Sequence, residues 1–550
     1  MKILQYFILF ILSIHPVHSQ LKFLVEDFEG YTNGPSDFKQ NGLFTYGYIS
    51  AKVDENIYTS YRTYSGQRAL KLEKGSKVNY GGWGKGLTLN IELDPKEDHF
   101  NFYALFPLNG PLLKTSTTFT VELREDDNDN GVFNSETDDT WAYTISVDNV
   151  KKNDQWQLIS APLSDFRDSN PGGDHIFNIN YKQGKLLTVI INFGTSDNFN
   201  PSQTCYFDFI CFSKGKLPTG SHIFNAPPAS TNDYCNLGTF SMVDKYANFL
   251  DESIAFEKLF ELPEKKLGVI HLFQPFGKDD GTKTSSYPSV ERMNKIISEG
   301  YIPMITLENH YESTDKNAKQ PNLYSILEHH FDSFFGYWAS QIKQVKGTVL
   351  LRMLHEFNGD WYPWCLVHNN KDPKVLAKTF CYIRNIFTQN KVTNVKFIWC
   401  PNSMSIPQES WNYILDAYPG DDFVDYVGLD VYNGAGNNVI WTSFRKEGIE
   451  NYFLLTEKFP DKPLLICETA SRERLKTESA RSQTKAQWIQ QMSDALKTDM
   501  SKVRLITWFN ERDDFKINSS MEAKDAYLNY IMKDDYFTPA SKNIFISSSH

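Results

Sequence analysis

Two glutamates stand in segments whose composition suits acid–base chemistry. Glu356 belongs to His355-Glu356-Phe357-Asn358-Gly359, which an aromatic run follows at 361–364, and Glu468 comes directly after the apolar run 463–467. Hydrolysis of an acetal needs two carboxyl groups, one that protonates the leaving oxygen and one that attacks the developing cation. The pair therefore predicts acetal hydrolysis, with Glu356 as the acid/base and Glu468 as the nucleophile.

Polar and aromatic residues near these glutamates are candidates for binding the substrate and for setting the carboxyl pKa values. A cation at Arg352 and a hydroxyl at Tyr432 are suited to hold a carboxylate in its ionised form, and aromatic walls raise the pKa of a buried acid. The predicted substrate-binding residues are His355, Arg352, Asn358, Trp361, Trp364, Tyr432 and Trp508, with Trp508 as a floor for a stacked sugar ring. The alternatives are a core role for His355, loop support for Asn358, and Glu511 as the second carboxylate.

Residues 235–536 alternate between apolar runs and helical stretches. The apolar runs that we take as strands are 237–240, 267–273, 302–307, 349–355, 395–400, 424–430, 463–467 and 503–509. The helical stretches are 289–299, 322–344, 375–388, 444–459, 484–498 and 522–532. The fifth helix of the barrel, which should follow the fifth strand, is only weakly indicated. This α/β alternation predicts a (β/α)8 TIM barrel. A doubly wound open sheet is the alternative, although no glycine-rich phosphate fingerprint follows the first strand.

The barrel gives the two glutamates a common location. Active-site groups lie at the C-terminal ends of barrel strands, where Glu356 ends the fourth strand and Glu468 the seventh. Carboxyl groups about 5–5.5 Å apart are typical of glycosidases that retain the anomeric configuration. We therefore expect a retaining mechanism that needs no metal or other cofactor.

The chain before the barrel has a different pattern. Residues 20–213 contain short alternating apolar runs between turn residues, which predicts an all-β sandwich domain. Residues 214–234 are rich in Pro and small polar residues and are predicted to be a linker, and residues 537–550 are predicted to be a tail. Within the sandwich, residues 126–131 read Asp-Asp-Asn-Asp-Asn-Gly, the first half of an EF-hand-like loop without the closing Glu. An acidic hairpin turn and a calcium site are the two interpretations of this segment.

The N-terminus predicts export. Residues 1–19 combine a basic start, an apolar stretch too short for a membrane span and a small residue at Ser19, which is typical of a signal peptide. A retained anchor is the alternative. Of the seven cysteines at least one must remain unpaired, no CxxC occurs, and buried free thiols are the expected state for several. The net charge of −11 argues against a nucleic-acid partner.

The segment around Glu356 resembles the acid/base signature of glycoside hydrolase family 26, a clan A family of mainly β-mannanases that also holds mixed-linkage glucanases and xylanases. The resemblance implies catalysis by Glu356 and Glu468, with His355 as the typical neighbour, Tyr432 near the nucleophile and Trp508 as the strand-eight aromatic. The sandwich resembles carbohydrate-binding modules through Asp27-Phe28-Glu29-Gly30, Trp156-Gln157 and the segment 206–210. That second resemblance implies a polysaccharide-binding cleft and a structural Ca²⁺.

Together these features predict a secreted, monomeric retaining endo-β-glycanase that acts on β-1,4-mannan-type polysaccharide, with no membrane or nucleic-acid partner. A mixed-linkage glucanase or xylanase with the same mechanism is one alternative. A catalytically inactive glycan-binding protein is another, but it would need neither carboxylate.

Overall fold

The computed structural model describes most of the chain after the predicted signal peptide. The described residues are 20–31, 42–47, 49–54, 68–74, 80–89, 91–107, 117–146, 155–180, 184–195, 203–217, 234–241, 249–278, 288–312, 320–434, 441–473, 484–497, 500–512 and 514–538. The predicted signal peptide, most of the predicted linker and residues 539–550 of the predicted tail lie outside them.

The N-terminal half forms two facing antiparallel sheets, which confirms the predicted sandwich. Its strands are β1 Gln20–Glu26, β2 Leu43–Tyr46, β3 Ile49–Asp54, β4 Ala69–Lys74, β5 Tyr80–Leu89, β6 Asp98–Leu105, β7 Thr117–Asp126, β8 Thr140–Ser146, β9 Gln157–Pro162, β10 Arg167–Asp168, β11 Lys185–Thr195 and β12 Gln203–Lys214. One sheet has the order β3-β4-β12-β6-β9, with β1 also paired to β12, and the other has the order β10-β8-β7-β11-β5-β2. Alternate side chains such as Trp83, Val121 and Phe207 fill the space between the sheets.

The C-terminal half forms the predicted barrel. Its strands are β13 Cys235–Ser241, β14 Val269–Lys278, β15 Ile302–Glu312, β16 Val349–Met353, β17 Val395–Trp399, β18 Tyr426–Asn433, β19 Leu464–Ser471, β20 Val503–Asn510 and β21 Phe537–Thr538. Strands β13 to β20 are parallel, and β13 pairs with both β14 and β20, so the sheet closes within the described part of the chain. The two-residue β21 adds to β13, so Phe537 and Thr538 belong to the sheet and not to the predicted tail.

The helices cover the outside of the barrel. They are α1 Phe249–Lys258, α2 Val290–Ser298, α3 Leu323–Leu327, α4 Asp332–Lys343, α5 Pro373–Gln389, α6 Phe444–Lys458, α7 Lys485–Lys497 and α8 Met521–Tyr527. The single helix predicted at 322–344 is divided into α3 and α4, because His329 between them adopts a left-handed backbone with φ 68°. The weak fifth helix is replaced by short 3-10 turns between β17 and β18, one of them at Ser410–Asn412.

A buried charged contact joins the sandwich to α6 of the barrel. Glu26 at the end of β1 accepts hydrogen bonds from Lys85 Nζ at 2.7 Å and from Lys446 Nζ of α6 at 3.1 Å. Its neighbour Asp27 lies 2.5 Å from the hydroxyl of Ser443, the N-cap residue of α6. The start of the sandwich, read from sequence as a feature of binding modules, is therefore also an attachment point to the barrel.

All seven cysteines lie within the described residues and none forms a disulfide. Six of the thiols are buried and Cys381 is partly exposed. Among the described helices, none is long and apolar enough to span a bilayer.

Candidate active site

Glu468 lies at the C-terminal mouth of the barrel and is held there by two donors. Its Oε1 accepts a hydrogen bond from Arg352, and its Oε2 accepts one from the Tyr432 hydroxyl at 2.6 Å. Tyr432 and Glu468 come from the neighbouring strands β18 and β19, where Asp430 pairs in register with Glu468. Hydrogen bonds from a guanidinium and a phenol stabilise an ionised carboxylate. The arrangement therefore presents Glu468 as a fixed anion.

Arg352 organises this side of the mouth. It projects from β16, is fully buried, and also donates to Asp430 Oδ2 at 2.6 Å and to Thr306 Oγ1 at 2.8 Å. The planar guanidinium has several donors in fixed directions, which lets one side chain bind groups from three strands at once. The orientation of Glu468 therefore depends on buried contacts of Arg352, which lie beneath the surface of the barrel mouth.

Glu356 has different surroundings. Its side chain is only 6% exposed, Trp361 Nε1 donates to Oε2 at 2.8 Å, and Asn402 Nδ2 donates to Oε1 at 2.6 Å. Burial raises the pKa of Glu356, while Asn402, Arg352 and Trp361 oppose that rise. A buried carboxyl with a raised pKa retains its proton more readily and suits a general acid. Glu468 is equally buried, so the two glutamates differ in their donors: a guanidinium and a phenol hold Glu468, whereas two neutral N–H groups hold Glu356.

The backbone at the end of β16 sets the direction of Glu356. The strand ends at Met353, and Leu354 and Glu356 adopt left-handed conformations with φ 53° and 50°. Such values are unfavourable for residues with a side chain and are found where the surroundings impose them. The amide of Glu356 donates to the carbonyl of Cys400 at 2.8 Å, which anchors the turn against β17.

Aromatic rings form one wall of the site. Tyr362 stacks on Trp364 with 4.3 Å between ring centroids, and His355 lies 4.8 Å from Tyr362. Trp364 is buried and donates to the carbonyl of His355 at 2.6 Å, so it supports the wall from behind. Trp361 is 42% exposed and faces solvent beside Glu356, which suits a sugar-stacking platform.

His355 is buried in this wall as a neutral ring. Burial and the nearby Arg352 lower its pKa well below the ordinary value. Neither ring nitrogen has a hydrogen-bond partner among the described residues. Both nitrogens are thus enclosed by the aromatic wall, where a neutral ring is favoured over a charged one.

Two of the predicted substrate-binding residues have other roles. Asn358 is fully buried, and its side chain bonds the backbone of Asn402 in both directions, at 2.8 and 3.0 Å, so it supports the loop after β17. Trp508 is also buried, and it packs outside the barrel against Trp488 of α7 and Tyr527 of α8. Successive strand residues point to opposite faces, so its position in β20 directs Trp508 away from the mouth.

The structure adds residues that sequence reasoning missed. Phe509, next to Trp508, points inward and lies 5.9 Å from the ring of Tyr432, so it is the strand-eight aromatic of the mouth. Asn402 binds Glu356, and Asp430 binds Arg352. Asn402 lies three residues beyond the end of β17, and Asp430 lies in the C-terminal half of β18, three residues before its end. The rule that places active-site groups at strand ends could have found both. Glu511, the alternative second carboxylate, follows β20 and is not among the partners of Arg352 described above.

Comparison with known proteins supports the same family for the barrel. The model of glycosyl hydrolase family 26 matches residues 306–504. Endoglucanase H of Acetivibrio thermocellus is 31% identical over 282 residues, which are 50% of this chain and 28% of that protein. A mannan endo-1,4-beta-mannosidase of Bacillus subtilis is 24% identical over 172 residues, 28% of this chain and 46% of that protein.

The chain thus spans less than half the length of these two relatives. Among solved structures, Bacillus subtilis mannanase man26 shares 17% identity over 58% of this chain and 91% of that one, with a TM-score of 0.41. The family match covers β15 to β19, which carry Arg352, Glu356, Tyr432 and Glu468. Residues 306–504 of this chain therefore match the model of glycosyl hydrolase family 26, the family that the segment around Glu356 resembles.

Proposed function

We propose that this protein is a retaining endo-β-glycanase whose substrate is a β-1,4-mannan-type polysaccharide. The observation that carries the proposal is the contrast between two carboxyl groups at one barrel mouth. Glu468 is held by Arg352 and Tyr432, which favour its anionic form, whereas burial raises the pKa of Glu356. Opposite environments for two carboxyl groups are the usual means of assigning one as acid and the other as nucleophile.

In the first half-reaction Glu356 donates its proton to the glycosidic oxygen while Glu468 attacks the anomeric carbon. The bond to the leaving chain breaks, and an ester forms between the sugar and Glu468. The chain that leaves takes the proton from Glu356 and departs with a free hydroxyl. Arg352 keeps Glu468 in one orientation, so the attack needs little rearrangement of the protein.

In the second half-reaction the ionised Glu356 removes a proton from water, which attacks the same anomeric carbon. The ester to Glu468 breaks, and both carboxyl groups return to their initial states. Two inversions give net retention of configuration. Neither step requires a cofactor.

Mannan is favoured by the number of mannan endo-1,4-beta-mannosidases among the relatives. A β-glucan is the second candidate substrate, because Endoglucanase H of Acetivibrio thermocellus shares 31% identity over 282 residues. The chemistry proposed for Glu356 and Glu468 is the same in both cases.

We further propose that the protein is exported as a monomer and that its sandwich binds polysaccharide. Exposed rings on one face of the sandwich support the second point: Tyr80 is 59% exposed, Phe44 is 39% exposed, and Tyr46 lies 5.6 Å from Tyr80. Rings of this kind stack on the C–H faces of sugars.

The test measures reducing-sugar release from mannan, mixed-linkage glucan and xylan by the wild type and by Glu356→Ala and Glu468→Ala. We expect release from mannan, and loss of general acid catalysis should lower the rate by about 10²–10⁴-fold in Glu356→Ala. An aryl glycoside with a good leaving group needs less protonation, so Glu356→Ala should lose less activity on it. Proton NMR of the first product should show the β-anomer; an initial α-anomer would refute the retaining mechanism.

A further inference from the structure

Cys400 is a buried thiol at the end of β17, between the elements that carry the two glutamates. It is only 1% exposed. Glu356 follows β16 and Glu468 lies in β19, while β17 pairs with β16 on one side and with β18 on the other. The two half-reactions proposed above make no use of this thiol. A polar group buried so close to both carboxyl groups is best understood from its contacts.

The backbone of Cys400 supports the acid/base. Its carbonyl accepts the hydrogen bond from the amide of Glu356 at 2.8 Å. Glu356 itself has a left-handed backbone with φ 50°. A residue with a side chain keeps this conformation only where its surroundings impose it. The direction of the Glu356 side chain therefore depends on where the end of β17 lies.

The side chain of Cys400 contacts the residues that hold Glu468. Its Sγ accepts a hydrogen bond from Arg352 Nη1 at 3.7 Å, which leaves the thiol hydrogen free to point to an acceptor. Two acceptors lie within its reach among the described residues, Asp430 Oδ1 at 3.4 Å and the carbonyl of Pro401 at 3.8 Å. The carboxylate is nearer and charged, and hydrogen bonds to charged groups are the stronger ones. The thiol therefore donates to Asp430.

Gly428 in β18 provides the space for this contact. A β-carbon at Gly428 would stand 2.8 Å from Cys400 Sγ and 3.0 Å from Cys467 Sγ. The two sulfurs thus occupy the volume that a side chain on β18 would fill. Gly428 and Asp430 lie on the same face of the strand, because side chains alternate along it. Cys400 can therefore extend over β18 toward Asp430.

The charges around the thiol agree with an intact S–H donor. Burial raises the pKa of Cys400 well above its ordinary value, so the thiol keeps its hydrogen. Burial also raises the pKa of Asp430, and both Arg352 and the hydrogen bond from Cys400 oppose that rise. Asp430, Cys400 and Cys467 each place one atom within 4.8 Å of the others, and the guanidinium of Arg352 supplies the positive charge beside them.

We propose that Cys400 is a positioning residue for both carboxyl groups of the active site. Its carbonyl holds the turn that carries Glu356. Its thiol keeps Asp430 in the ionised form that pairs with Arg352, which in turn orients Glu468. Cys400 acts through these neighbours and not on the sugar. The inference rests on the proposed two-glutamate function and adds the residue that links the two sides of the mouth.

Other titratable groups also face the contact between Cys400 and Asp430. Within the described part of the chain they are Arg352, Glu356 and Tyr362 from β16 and the segment after it, Tyr432 from β18, and Cys467 and Glu468 from β19. Arg352 is the cation among them. The negative charge of Glu356 adds to the rise in the pKa of Asp430. A donor to Asp430 therefore helps to keep both carboxyl groups usable at the same pH.

Two substitutions of Cys400 separate the donor from the packing of the side chain. Cys400→Ser retains a donor and Cys400→Ala does not, and both are smaller than cysteine. We expect the acid limb of the pH profile of kcat/KM to move to higher pH by about half a unit to one unit in Cys400→Ala, because ionised Asp430 loses a donor. Cys400→Ser should restore the limb. At the optimal pH, kcat of Cys400→Ala should fall by about 10-fold with little change in KM.

Cys467→Ala is the matched control, because it removes the same atoms from a neighbouring position in the barrel interior. The thiol of Cys467 has its backbone acceptor in the carbonyl of Leu465 at 3.9 Å. This variant should lower the melting temperature as Cys400→Ala does, and its acid limb should coincide with that of the wild type. Equal displacement of the limb in both alanine variants would assign the effect to packing and overturn the proposed role of Cys400.

Calorimetry tests the donor without any substrate. Asp430 keeps its proton to a higher pH in Cys400→Ala, so the folded state of this variant gains less from ionisation as the pH rises. The melting temperature of Cys400→Ser should therefore exceed that of Cys400→Ala by more at about pH 8 than at about pH 5. A difference that does not depend on pH would overturn the inference, whatever the hydrolysis assays give. Absence of hydrolysis by the wild type would refute the proposed function instead, and the calorimetric comparison would still decide whether the thiol holds Asp430.

Discussion

Replacing Arg352 by methionine removes the cation that two carboxylates share. Arg352 donates to Asp430 at 2.6 Å and to Glu468, and the side chains of Arg352 and Asp430 are fully buried. Methionine fills similar space but offers no donor. The variant therefore leaves two buried anions without their principal partner.

The size of the effect follows from burial. Removing one member of a buried ion pair costs about 3–5 kcal/mol, because the remaining charge is neither solvated nor paired. For a domain of the size of this barrel, that loss lowers the melting temperature by roughly 10 °C. The matched control is Arg384→Met, which breaks the 2.9 Å pair of Arg384 with Asp425, where both side chains are about 20% exposed. An exposed or partly exposed pair contributes about 1 kcal/mol or less, so this variant should shift far less.

A second substitution separates charge from packing. In Arg352→Met with Asp430→Asn, one of the two unpaired carboxylates becomes neutral, so the double variant should recover about 1–3 kcal/mol relative to Arg352→Met. Differential scanning calorimetry of the wild type, Arg352→Met, Asp430→Asn and the double variant measures the coupling energy between the two residues. Hydrolysis assays should show that the double variant remains nearly inactive, because Glu468 still lacks its guanidinium donor. If Arg352→Met melts like the wild type, or if Asp430→Asn only adds to its destabilisation, the shared-cation argument is wrong.

Four further predictions follow from other contacts. Trp361→Phe removes a hydrogen-bond donor that lowers the pKa of Glu356 against the effect of burial. The pKa of Glu356 should therefore rise, and the alkaline limb of the pH profile of kcat/KM should move to higher pH; an unchanged limb would contradict this. Lys446→Met should destabilise the joint between the domains by about 3 kcal/mol and split the calorimetric transition, because Glu26 loses its barrel partner; a single unshifted transition would contradict it. Burial alone would raise the pKa of Glu26, but Lys446 and Lys85 hold that pKa far below 4.5. The ionised Glu26 therefore stabilises the folded protein above pH 4.5, and this contribution is lost on acidification, which acid titration of unfolding should detect. Phe509→Ala should raise KM by about 10-fold through lost contact in the mouth, and steady-state kinetics with unchanged KM would count against that role.

Much of the architecture can be predicted from local sequence patterns. The apolar runs, their spacing and the turn residues between them were sufficient to predict a sandwich followed by a closed parallel barrel. The ends of those runs identified Glu356 and Glu468, because in parallel strands the residue after the run must lie at the common mouth. The family resemblance of the segment after β16 depends only on adjacent residues and was confirmed by the match over residues 306–504.

Contacts between distant segments could not be predicted in the same way. Trp508 and Phe509 are neighbours in sequence, and only the pleat of β20 decides that Phe509 faces the mouth while Trp508 packs outside. Asn402 reaches Glu356 because the loop after β17 folds over the mouth with the help of Asn358.

The acidic residues of the sandwich show the same division. Their abundance in 125–139 is visible in the sequence, yet only the fold separates Asp126 and Asp138, which shape the turn, from the converging Glu125, Asp127 and Asp139. A sequence determines which groups each strand end presents, through local patterns of polarity. Which groups meet depends on backbone direction and strand register, and those are set by packing across the whole domain.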